Sequence, residues 1–177
     1  MPEGGVVLNS YQAASPNEGG SPARTVLVVG LGNPILGDDG VGWKVAQEFS
    51  SIEGHSGRVA VECLSIGGLG LMERMLGYDR VILVDAIETG ACPEGNVRTF
   101  PLAALDRPGL GHSASAHDVS LDSALKTAEA MGERIPHRVD IVAIEAHRCY
   151  DFSEELSPAV AAAVPLAVSS ISWLLAE

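Results

Sequence analysis

Two stretches, TVLVV (Thr25–Val29) and VILV (Val81–Val84), are apolar almost without interruption. A strand with one wet face alternates apolar and polar side chains, so strands of this kind are covered on both faces, as in a parallel sheet between two layers of helices. RVAVECL (Arg58–Leu64), VRTF (Val97–Phe100) and VDIVAI (Val139–Ile144) read as further strands. Helical spacing separates them. Val41, Val45 and Phe49 fall on one helical face, as do Leu71, Met75 and Tyr78, and Leu121, Leu125 and Ala128 repeat the pattern with Gly132 as a stop. A last helix starts near Ser157, where Pro158 suits a first turn. This alternation predicts an α/β fold: a single three-layer α/β/α domain around a mostly parallel, about five-stranded twisted sheet, of the phosphorylase/hydrolase-like kind.

The domain is expected to span residues 25–177. Residues 1–24 are rich in Gly, Pro, Ser and Asn without a sustained apolar period, which predicts a flexible leader. A chain of 177 residues suits one core and buries roughly 70% of its unfolded surface. Its net charge of -12 argues against nucleic acid as a partner, because phosphates call for a Lys/Arg surface. Cys63, Cys92 and Cys149 are odd in number and lack a C-x-x-C pair, so neither a disulfide framework nor a thiolate metal site is suggested. No uninterrupted apolar run reaches the roughly 18 residues of a membrane span, and no signal peptide stands at the start. The expectation is a cytoplasmic protein with no membrane partner.

Ligands of open parallel sheets sit outside the carboxyl ends of the strands. Asp39 lies in the loop after the first strand, and Asp85 directly ends the run VILVDA. If those strands are parallel neighbours, both carboxylates project over one edge. Locally, Asp38 or Asp39 could instead cap the helix from Gly40 to Phe49, and Asp85 could make an Asx-type turn into AIETG. A carboxylate closing a buried strand is nonetheless costly unless it is hydrogen-bonded, paired or bound to a cation. A cation held by two carboxylates commonly takes an imidazole too. Of the five histidines, His55 and His137 read as surface and loop, and His112 lies deeper in a small-residue loop. His117, at the mouth of a helix, and His147, after the last strand, could each reach the edge.

Other site types fit less well. G-x-G-x-x-G would need glycine at 35, where Ile35 stands, and Pro34 removes a backbone N–H that could face a phosphate. Asp38 and Asp39 would repel a phosphate at that helix start. No G-x-S-x-G elbow anchors a serine triad, and Cys63 and Cys149 show no local sign of activation.

With GLGNPILGDDGVG, VILVDAIETG and SAHDVSLDSAL in this order, the chain resembles the [NiFe]-hydrogenase maturation endopeptidases from about Thr25 to its end. The resemblance implies removal of a C-terminal extension from a hydrogenase large-subunit precursor once nickel is installed. It places the family's acid on Asp39, its strand-end aspartate on Asp85 and its H-x-x-x-L histidine on His117. These three would recognise nickel carried by the substrate and not permanently bound, leaving Asp38 as the helix-start acid. In CLSIGGLGL, Ile66-Gly67 stands where the family commonly has G-T; Gly67, Gly68 and His147 are the expected substrate-loop residues, and Pro101–Ser115 an expected specificity loop. VVGLGNP also looks like the peptidyl-tRNA hydrolases, but the His-Asn pair and basic surface of those enzymes are replaced here by Asp38-Asp39 and net acidity. A non-cleaving metal-sensing or precursor-binding accessory protein would use the same three ligands.

Overall fold

The computed structural model describes residues 25–52, 57–104, 118–147 and 152–177. Among these, one sheet contains β1 (Val26–Leu31), β2 (Val59–Leu64), β3 (Arg80–Ile87), β4 (Val97–Pro101) and β5 (Arg138–Glu145), and the helices are α1 (Val41–Ile52), α2 (Gly68–Met75), α3 (Asp118–Ala130) and α4 (Pro158–Ala176). The strand order is β2-β1-β3-β5-β4. The first four in that order run parallel, and β4 lies antiparallel to β5 at the edge.

The two-residue period of the strands divides the core. On one face Val28, Ile82 and Val142 pack with Val41, Val45 and Phe49 of α1 and with Val164, Val168 and Ile171 of α4. On the other, Leu27, Val29, Leu83 and Ile141 pack with Leu71 and Met75 of α2 and Leu121 and Leu125 of α3. Each large side chain buried this way contributes about 1.5–3 kcal/mol, and the apolar strand runs are the direct consequence of cover on both faces. By length and hydropathy α4 could cross a bilayer, yet here its Val160, Val164, Val168 and Ile171 stripe is core.

Two local readings of the sequence need correcting. β3 does not stop at Asp85: its pairing with β5 continues through Ala86↔Ile144 to Ile87↔Glu145, so Asp85 lies within the strand. Tyr78 is not on the face of α2, because that helix ends at Met75 and the chain turns through Gly77 at φ +84. Gly132, at φ +87, follows α3 as a stop should.

Charged groups fix both edges of the sheet. At the amino edge Arg80 donates to the Asp140 carboxylate at 2.8 and 3.0 Å and to the Leu174 carbonyl at 2.5 Å, while Arg138 pairs with Asp140 and Glu177. The last turn of α4 is thereby pinned by a cation suited to the negative end of its dipole. At the carboxyl edge the fully buried Glu145 accepts the Thr89 and Gly90 N–H groups at 2.7 and 2.8 Å, the Thr89 hydroxyl at 2.7 Å and Arg98 Nη2 at 3.4 Å. Burial pushes the Glu145 carboxyl up, but the Thr89 hydroxyl, the two N–H groups and Arg98 outweigh it and hold the group below its ordinary value of 4.5.

Asp140→Ala takes the shared carboxylate from Arg80 and Arg138, leaving Arg80 with the Leu174 carbonyl and Glu177, and is expected to cost about 1.5–3 kcal/mol, read as a lower urea midpoint at unchanged slope. Because the folded form depresses the Glu145 pKa, its carboxylate stabilises the fold above pH 4.5, and that contribution disappears as pH falls through the folded-state value. Glu145→Gln should therefore be less stable than wild type at pH 7, by about 1.5–3 kcal/mol for hydrogen bonds to a charged group, with the gap narrowing in paired thermal melts as pH falls below 4.5.

Candidate active site at the carboxyl edge of the sheet

β1 has β2 on one side and β3 on the other, and the chain leaves β1 toward β2 but leaves β3 toward the opposite edge of the sheet. The crevice outside the carboxyl ends of β1 and β3 is thus a topological switch point, where ligands of such sheets bind. The sequence builds this crevice with glycine. A Cβ on Gly42, in the first turn of α1, would run into the Leu31 and Val84 carbonyl oxygens, and one on Gly30 would collide with the Gly42 carbonyl. α1 therefore starts in backbone contact with the ends of β1 and β3. Gly32, at φ +117, turns the chain out of β1 where any side chain would strike the Asp39 carbonyl.

The paired acid occupies a 3₁₀ turn, Gly37–Gly40, that leads directly into α1. Asp39 is partly exposed, and its Oδ2 accepts the Asn33 N–H at 2.6 Å. The Asn33 side chain accepts in turn from the Ile35 N–H at 3.2 Å, an Asx turn that holds the loop carrying Asp39. Asp38 points the other way. It is fully buried and its Oδ1 accepts the Ser157 N–H at 2.6 Å, at the start of α4. Asp38 and Asp39 thus use carboxylate oxygens to accept from Ser157 and Asn33: Asp38 stands in the turn that opens α1, as read from the sequence, but its hydrogen bond goes to the residue before α4 and not to α1.

Asp85 is 3% exposed, and its Oδ1 accepts the Ala86 N–H at 2.9 Å. β1 and β3 pair in register up to Gly30↔Val84, which puts Asp85 one residue beyond, at the same edge as the loop bearing Asp39. The two carboxylates picked from sequence therefore share the switch-point crevice. His117 lies outside the described residues, as do His55, His112 and Cys149. His147 follows β5 at this edge with its side chain half exposed, and its Nε2 lies 3.8 Å from Glu145 Oε1. Gly67 and Gly68 sit at the start of α2, after β2, and the Ser65 hydroxyl donates to the Gly32 carbonyl at 2.7 Å, tying that segment to the β1 loop. Among the described residues no group of three or more His, Cys, Asp or Glu side chains is arranged to hold a metal ion. Cys63 is half-buried, and burial pushes its thiol up, away from nucleophilic activation.

Three contributors were not anticipated from sequence. Asn33 holds Asp39 and belongs to a G-N-P turn that a reader of Asx turns could have found. Asp38 and Glu145 act on segments distant in the chain, and no local spacing announces them.

Comparison with known proteins identifies the family and the fold. Residues 56–173 match the sequence model of the hydrogenase maturation protease family. The hydrogenase expression/formation protein HupD of Rhizobium leguminosarum bv. viciae is 26% identical over 152 residues, covering 86% of this chain and 74% of that protein. HupD of Rhodobacter capsulatus is 28% identical over 148 residues, covering 81% of this chain and 68% of its own length. Among solved structures, the hydrogenase maturating endopeptidase HybD of E. coli superposes with a TM-score of 0.69 at 21% identity, over 83% of this chain and 89% of the other. The [NiFe] hydrogenase maturation protease HybD of Thermococcus kodakarensis gives 0.63 at 26% identity, over 85% and 98%. With the family's model covering most of the chain and the same α/β fold beneath it, the protein belongs to the hydrogenase maturation proteases and is a hydrolase of that family.

Proposed function

We propose that this protein is the cytoplasmic endopeptidase that removes the C-terminal extension of a [NiFe]-hydrogenase large-subunit precursor after nickel insertion, with Asp39, Asp85 and His117 engaging the nickel that the precursor carries. The observation that supports it most is the meeting of Asp39 and Asp85 at the switch-point edge, each with one carboxylate oxygen oriented by a backbone N–H. Carboxylate oxygens and an imidazole suit a borderline cation that arrives with ligands of its own. A metal held beside the scissile peptide polarises its carbonyl or activates a water, so metal insertion is read before the bond is cut.

The rim of the same edge suits a polypeptide. Ile35 after β1, Ile66 and Leu69 around the start of α2, and Phe152 before α4 are all exposed large apolar side chains. The Phe152 segment lies beside the Ile35 loop through the Ser153 N–H bond to the Ile35 carbonyl at 3.1 Å. Apolar side chains gathered around an acidic crevice mark a protein-contact surface. Gly67, Gly68 and His147 line the same approach and belong to the substrate loops in this reading.

Mass spectrometry of a precursor from the same source, nickel-loaded or nickel-free, decides it. Loss of a C-terminal peptide from the nickel-loaded form alone is expected, with Asp39→Asn, Asp85→Asn and His117→Ala each slowing it by about 10²-fold or more. A precursor that binds in pull-down yet stays intact in both forms would establish a non-cleaving accessory protein instead.

A further inference from the structure

Asp38 is a buried acid that the proposed chemistry does not use. It is fully inaccessible, one residue from Asp39, and its Oδ1 accepts the Ser157 N–H at 2.6 Å across 119 residues of sequence. Among the described residues its Oδ2 has no hydrogen-bond partner, and Asp38 borders a hollow of about 290 Å³ lined also by Gly37, Ser153, Glu155 and Ser157. Removing a carboxylate from water for a single hydrogen bond is expensive, and an unsatisfied buried oxygen costs about 1–3 kcal/mol, so fold stability alone is a poor reason to keep this acid.

Its location supplies a better one. The 3₁₀ turn is strapped to the segment before α4 by two further bonds, Gly37 N–H to the Ser153 carbonyl at 2.7 Å and Ser153 N–H to the Ile35 carbonyl at 3.1 Å. The Asp38 bond extends this strap to the residue that opens α4. Asp39 shares the turn, through its N–H to the Leu36 carbonyl at 3.2 Å, so a shift of the turn relative to α4 moves the Asp39 carboxylate. α4 is itself fixed: its last turn is held by Arg80, and its 19 residues span about 28 Å, the height of the sheet. A negative group at its first turn also suits the helix dipole.

We propose that Asp38 is the positioning residue of this site, fixing Asp39 at the sheet edge by tying the 3₁₀ turn through Oδ1 to Ser157, the residue that precedes α4. Asparagine keeps that acceptor and alanine does not. Leucine keeps the shape of the aspartate side chain and offers no acceptor, so Asp38→Leu removes the bond while filling the same space.

The test joins a spectroscopic readout to an activity readout, and only the second rests on the proposed function. The Asn33 amide proton, bonded to Asp39 Oδ2 at 2.6 Å, should resonate far downfield in the ¹H–¹⁵N spectrum of the intact protein and report where Asp39 stands. Asp38→Ala and Asp38→Leu are expected to move it upfield below their melting temperatures, whereas Asp38→Asn leaves it in place. In precursor processing the two variants should lose about 10²-fold in kcat with little change in KM, as a misplacement of about 1 Å can cause. An unmoved Asn33 resonance in folded Asp38→Ala overturns the proposal, and if that variant does not fold, Asp38→Leu decides alone. Asp38→Asn as inactive as Asp39→Asn also overturns it, since the charge and not the acceptor would then matter. A wild-type protein that cuts no precursor refutes the functional reading only, and the Asn33 resonance still decides the positioning.

Discussion

The contact on which the rest depends is the seating of α1 on the ends of β1 and β3, backbone against backbone. Side chains normally hold a helix some 8–10 Å from its neighbours. Here Gly30 and Gly42 remove them, and the first turn of α1 meets the Leu31 and Val84 carbonyl oxygens. This brings the loop between β1 and α1 down onto the sheet edge, and with it Asp39 to the edge where Asp85 stands. Phosphate-binding loops use glycine to bring backbone N–H groups to an anion. The same close approach here delivers carboxylates, and a crevice lined by acids draws a cation.

Acids placed at a dry edge must be held, and each is held differently. Asp85 is part of β3, where its backbone stays paired with Ala143 of β5 beyond the end of the β1 ladder, so the sheet holds its Cα. Asp39 belongs to a short turn outside any ladder, and its orientation comes from Asn33 and from the links of that turn to the start of α4. Glu145, one strand over, is fully satisfied by the Thr89 and Gly90 loop and Arg98. It therefore shapes the rim and has little left to offer a ligand.

The sequence carried the parts whose cause is local. Continuous apolar runs marked the central strands because both faces are covered, and Val41, Val45 and Phe49 declared the buried face of α1. Asp39 and Asp85 were legible because carboxylates beside buried strands need a partner. What escaped was decided at a distance. VRTF reads as a strand but does not say that β4 pairs antiparallel with β5, since an edge strand's direction follows from its connections. Asp85 looked like the end of β3 because a polar residue interrupts the apolar run, while the ladder to β5 continues to Ile87. Asp38 resembled a helix cap because an acid before a helix ordinarily is one, and its partner stands 119 residues away.

The separation of Asp39 and Asp85 is therefore not a property of either loop. One carboxylate is carried by the sheet and the other by the unit formed from the 3₁₀ turn, α1 and the start of α4, and the distance between them is set by how that unit packs on the sheet. Two devices fix that packing. The glycine contact sets the height of α1, and α4, clamped at its last turn by Arg80 and joined to Asp38 at its first, sets the position of the turn along the edge. Close-packed interiors transmit small displacements without absorbing them. The ion pairs at the amino edge of the sheet thus hold one end of the helix whose other end receives the Asp38 bond.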